Sequence, residues 1–113
     1  MLVLVQAGIA RAGAAQGATL IKNTAGTLPL KQTLRSAAVI GPNSDLSEAV
    51  AGYYGGLQVC GGVYPSMIDA VRQYVPSTVS ATGVPSVSSD DTTEVAAAAA
   101  LAKGKDAVVL VLG

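Results

Sequence analysis

Seven carboxylates, one cysteine and no histidine bound the chemistry open to this chain of 113 residues. Without histidine, neither a Ser-His-Asp triad nor a Cys-His pair can be assembled, and the commonest zinc sites lose a main donor. Cys60 has no second cysteine with which to close an internal disulfide, and a lone cysteine reads as a small apolar side chain. The carboxylates are Asp45, Glu48, Asp69, Asp90, Asp91, Glu94 and Asp106. Cleavage of an acetal by paired carboxyl groups needs the two on opposite sides of one bond, a separation that position along a chain does not encode. Most of the seven have a plain account as helix caps or solvated helix faces. Asp90 and Asp91 precede an alanine-rich segment, and Glu94 stands three residues after Asp91 in a capping-box arrangement. None is singled out as a catalytic acid or nucleophile.

Phosphate-binding signals fail as well. Gly52, Gly55 and Gly56 do not fit G-x-G-x-x-G, and Gly104-Lys105 follows a helical pattern instead of joining a strand to a helix. No cofactor is expected. Open α/β sheets bind ligands in the crevice beyond the carboxyl ends of their strands. That rule points to two loops: Gly41 to Asp45 with the Gly52-Tyr53-Tyr54-Gly55-Gly56 stretch, and a second beginning at Gly113. Tyr53 and Tyr54 could lay a ring on the C–H face of a sugar while the phenol bonds its hydroxyls. Packing against the domain's own surface is the other account of the same two rings. Asn43 and Asp45 are the polar candidates on the first loop.

The elements that would position these residues emerge from pattern. Val5, Ala7, Ile9, Ala12 and Ala15 recur at helical spacing, so Val3 to Gln16 is expected to be a helix. Ala18 to Lys22 reads as a short strand, closed by the turn-rich Asn23 to Thr27. Ser36 to Ile40 is an apolar run halted by Gly41-Pro42-Asn43-Ser44-Asp45, and Leu46 to Ala51 could make a brief helix. Pro65 suits the first turn of a helix running to about Tyr74, with Met67, Ile68, Val71 and Val75 as its apolar stripe. Thr78 to Ala81 is a further strand, and Val84 to Ser89 a polar connector. Thr92 to Ala102 is a helix ended by Lys103-Gly104-Lys105. Asp106 to Leu112 is a buried, parallel-type strand.

In order, this is strand, helix, strand, helix, strand: an α/β fold, a three-layer sandwich on a mainly parallel sheet. Residues 1–35 form a lead-in of helix, short strand and loop, and 36–113 the βαβαβ core. A domain that stops on a buried strand, with no helix after it, is expected to be incomplete. Half of the residues are hydrophobic but only four are aromatic, all tyrosine, which fits a sheet covered on both faces by aliphatic side chains. Seven basic and seven acidic residues balance, so no nucleic-acid partner is expected. No apolar run approaches the ~20 residues of a membrane span, and no leader of the secretory kind is visible.

The segment Ala14-Ala15-Gln16-Gly17-Ala18-Thr19-Leu20-Ile21-Lys22-Asn23, then Leu28-Pro29-Leu30, then Ala38-Val39-Ile40-Gly41-Pro42-Asn43, is similar in order and spacing to the opening of the second domain of family 3 glycoside hydrolases. Gly52-Tyr53-Tyr54-Gly55-Gly56 resembles the Gly/aromatic loop next along that domain in the β-xylosidase branch, and Val59-Cys60 with Tyr64-Pro65 continues the likeness. A cysteine that commonly partners the one resembling Cys60 is missing downstream. The resemblance implies a retaining exo-β-glycosidase that releases terminal xylose or glucose from cell-wall oligosaccharides outside the cell. It also implies a barrel domain, absent here, that carries the aspartate nucleophile. The glutamate acid/base would lie beyond the strand resembling Val108 to Gly113. On that basis the chain supplies scaffold and one wall of the sugar pocket, with Tyr53, Tyr54, Asn43 and Asp45 in contact with an oligosaccharide. The competing reading is a non-catalytic carbohydrate-binding or interaction domain that keeps only the scaffold.

Overall fold

The structure, a computed structural model, describes residues 2–46 and 64–113. The Gly-Tyr-Tyr-Gly-Gly stretch, Cys60 and all but the first residue of the helix expected at Leu46 to Ala51 lie outside them. The chain forms two compact units, Met1–Lys31 and Gln32–Gly113.

In the first unit, α1 (Leu2–Gly17) covers the segment read as helical. Its polar residues Gln6, Arg11 and Gln16 recur every five positions, so they are spaced roughly 140° apart around the axis and mark no single solvent face. Ala18 to Lys22 is in neither helix nor strand, contrary to the expected strand. Strand propensity expresses packing against neighbouring strands, and this run pairs with none among the described residues; Ile21 is 93% exposed. Beyond it, the Asn23 side chain donates to the Leu28 carbonyl at 2.8 Å and accepts the Leu28 N–H at 2.9 Å. That clasp encloses a single 3-10 turn, Thr24–Gly26.

The second unit contains β1 (Ala37–Ile40), α2 (Met67–Arg72), β2 (Thr78–Ala81), α3 (Val95–Ala102) and β3 (Ala107–Leu110). Both strand pairings are parallel and the spatial order is β2-β1-β3. The chain therefore steps one way from β1 to β2 and back past β1 to β3. Right-handed crossovers then put α2 and α3 on opposite faces, giving the three layers expected. Ala37, Ala38 and Val39 are all buried although consecutive strand residues face opposite sides, so β1 is covered on both. Ile68 of α2 and Ala98 of α3 complete this core.

Both helices start later than their sequence patterns indicate. Ser66, not Pro65, begins α2: its hydroxyl accepts the Asp69 N–H, and the Asp69 carboxylate accepts the Ser66 N–H, which makes a capping box. The Asp91–Glu94 box does not form. The Asp91 carboxylate instead accepts the Thr93 N–H at 2.9 Å, shaping the turn before the helix, and α3 begins only at Val95. Its other end behaves as capping physics predicts, with Gly104 at φ 78° and the Lys103 N–H returned to the Ala99 carbonyl.

Candidate functional site

Because the three strands are parallel, their carboxyl ends share one edge of the sheet, and the connectors there meet. The loop after β1 leaves through Gly41, whose N–H donates to the Ala81 carbonyl at 3.0 Å, extending the β1–β2 ladder by one bond. The Ser44 N–H turns back to the Gly41 carbonyl at 3.0 Å. Ser44 is buried, and its carbonyl accepts the Ile68 N–H at 3.0 Å, satisfying one of the free amides at the start of α2. The loop is thus tied at both ends, leaving Asn43 half-buried and Asp45 exposed on it.

Past β3, the Val111 N–H donates to the Ile40 carbonyl at 2.8 Å. The Val111 carbonyl fills the space where a side chain on Gly41 would start, and Gly41 has φ 135°, so only glycine suits this position. Two residues on, a Cβ built on Gly113 would lie 3.4 Å from Asn43 Nδ2 and would collide with Val87. Asn43 from the first connector, Val87 from the second and Gly113 from the third therefore converge. Asn43, on the first loop picked out by the strand-end rule, thus lies beside Gly113, where the second was expected to begin. Tyr53 and Tyr54 lie outside the described residues.

Two contributors are missed by sequence reasoning. Val87 falls in a stretch that reads as a polar connector, and nothing in its surroundings marks it. The Thr82 hydroxyl donates to the Glu94 carboxylate at 3.4 Å, linking the exit of β2 to the start of α3 on the same edge. Thr82 directly follows a strand, and that position was a usable signal.

Three of the described carboxylates are engaged by backbone amides. Asp69 is held below the usual carboxylate range chiefly by the Ser66 N–H, Asp91 by the Thr93 N–H, and Asp106 by the Arg35 and Ser36 N–H groups. A general acid needs the opposite shift, towards the operating pH. Asp106 also sits at the amino edge of the sheet, just before β3. Among the described residues, no three or more His, Cys, Asp or Glu side chains gather as a metal site, and no helix is long and apolar enough to cross a membrane.

Residues 18–113 match the glycosyl hydrolase family 3 C-terminal domain. The chain is 38% identical to beta-D-xylosidase 3 of Arabidopsis thaliana over 107 residues, and 39% identical to beta-D-xylosidase 1 of the same plant over 106. It is 38% identical to beta-xylosidase/alpha-L-arabinofuranosidase 2 of Medicago sativa subsp. varia over 111 residues. Each alignment takes in 93% of this chain but only 13% of the relative. No solved structure matches it. With its parallel α/β sheet and an opening segment of the kind that begins the domain, the chain belongs to glycosyl hydrolase family 3, as part of the C-terminal domain.

Proposed function

We propose that this chain is the portion of a retaining β-D-xylosidase-like enzyme that supplies scaffold and one wall of the sugar pocket. The observation that carries this reading is the family match over residues 18–113, together with plant β-xylosidases aligned over nearly the whole chain. The enzyme releases terminal β-xylosyl or β-glucosyl residues from cell-wall oligosaccharides, outside the cell. A barrel domain beyond this chain contributes the nucleophile. Asn43 and Asp45, with Tyr53 and Tyr54, hold sugar hydroxyls and a ring face.

Retaining hydrolysis needs two carboxyl groups roughly 5–5.5 Å apart, one of them protonated. Asp69, Asp91 and Asp106 are engaged by backbone amides and held as carboxylates, so the chain by itself has no acid/base pair among them. Purified alone, it is expected to give no turnover of aryl β-xyloside or aryl β-glucoside above the buffer rate. In an enzyme of the relatives' length carrying this segment, Asn43→Ala and Asp45→Ala are expected to raise KM about tenfold, with a smaller change in kcat, because binding contacts remote from the scissile bond are removed. Turnover by the chain alone, lost on substituting one of its carboxylates, would defeat the reading.

A further inference from the structure

β1 and β3 pair through four aliphatic residues each, Ala37 with Ala107 through Ile40 with Leu110. A strand with one apolar and one polar face fixes its own register, since a slip of one residue turns every side chain over. The run Ala107-Val108-Val109-Leu110-Val111-Leu112 has no such alternation, so burial separates neighbouring registers poorly. β3 is also the last strand on its side of the sheet, with no second ladder among the described residues to hold it. Some other contact has to select the pairing.

One contact does so at the start of β3, and a second at the far end sets how closely the strands approach. At the start of β3, the Asp106 carboxylate accepts the N–H groups of Arg35 and Ser36, both at 2.9 Å, and the Ser36 hydroxyl at 3.1 Å. The Asp106 N–H returns to the same hydroxyl at 3.2 Å. At the far end, the Val111 carbonyl occupies the side-chain space of Gly41. A slip of one residue moves β3 by about 3.3 Å, taking Asp106 out of hydrogen-bonding reach of those amides. At the far end any residue of β3 would bring a carbonyl to Gly41, so that contact sets how closely the strands approach and not their register. We propose that Asp106 and Ser36 are positioning residues: a lock at the start of β3 that selects the β1–β3 register and so brings Gly113 to Asn43, while Gly41 lets the strand's far end approach. The lock bears on catalysis only if the carboxyl edge is the pocket wall of the proposed function.

Nuclear magnetic resonance on the full 113-residue chain tests it without reference to sugar. The native protein should show cross-strand proximities for Ala37 with Ala107 and for Ile40 with Leu110, and a protected Val111 amide. Asp106→Ala should give a second set of proximities offset by one residue, with Val111 exchanging at least about tenfold faster. Asp106→Asn, which keeps one acceptor oxygen, should fall between. Gly41→Ala should keep the Ala37–Ala107 proximity and lose protection at Val111. Val109→Ala is the control for a purely structural loss: a lower Tm with the pairing unchanged. If Asp106→Ala unfolds, Asp106→Asn combined with Ser36→Ala decides, since it removes the charge that holds the two amides as well as the hydroxyl. Unchanged pairing and unchanged Val111 amide exchange in that variant would overturn the lock, as would native protein lacking the β1–β3 proximities. Either result leaves the proposed function standing, and failure of Asn43 to affect KM leaves the lock standing.

Discussion

Asp69, Asp91 and Asp106 each accept backbone N–H groups, and the cost of protonating them is paid by the fold. Their folded pKa values lie below the unfolded value of about 3.9. The stability they contribute is therefore complete above about pH 4 and falls away as the pH drops through the folded values. Thermal melts between about pH 6 and pH 2 should show Tm declining at the acid end, and Asp106→Asn should flatten that decline while lowering Tm at neutral pH. A Tm independent of pH in native protein would contradict this. Ser66→Ala should cost about 1 kcal/mol by denaturant titration, the usual loss for a serine N-cap. Both capping residues of α2 are visible in the sequence, but Pro65 draws the expected helix start forward to itself. The same three-residue spacing in Asp91 and Glu94 gives no box, because the aspartate is claimed by a nearer amide. Spacing names the donors and acceptors available to a cap; which of them pair depends on competing local turns.

Short β-branched runs have opposite fates according to their neighbours. Thr78 to Ala81 becomes β2 because β1 lies beside it in register, while Ala18 to Lys22 becomes no strand at all. The strand-ending signals at Gly41-Pro42 and the run before Gly113 are legible because parallel buried strands read as unbroken aliphatic segments. Element order and handedness then give the layers without further information. The approach of Val87 to Gly113 is not legible, since it depends on how the long connector between β2 and α3 folds back, and a loop of that length has many paths open to it. Within the core, α2 rests on one side chain, Ile68, which is 1% exposed and whose N–H is bonded to the Ser44 carbonyl. Ile68→Ala should cost about 2–5 kcal/mol in urea unfolding, the range for removing a buried large aliphatic group. Because Ser44 is held from α2, the same change should also raise amide exchange at Ile68 and loosen the loop carrying Asn43. A cost below about 1 kcal/mol would mean that α2 is not anchored as described.

On the scale of the whole chain, aliphatic surface remains uncovered where the sheet ends. Val108, Leu110 and Leu112 are exposed on and beyond β3, and the two strand residues line a shallow apolar groove with Ile40, Val84, Val95 and Ala99. β3 also presents one side with no ladder partner among the described residues, and an apolar edge of this kind invites pairing with another chain. The sequence made this foreseeable, since Asp106 to Leu112 reads as a strand meant to be covered on both faces. Its lack of charge between Asp106 and Gly113 removes the usual protection of an edge. In sedimentation velocity, the chain should show a weight-average mass that rises with concentration. Leu110→Lys places a charge on a side chain that is 63% exposed, so it should shift the distribution towards monomer while leaving the circular dichroism spectrum and Tm close to native. A native chain that stays monomeric at high concentration, or a Leu110→Lys variant that associates as strongly as the native one, would show that this face is not what drives association.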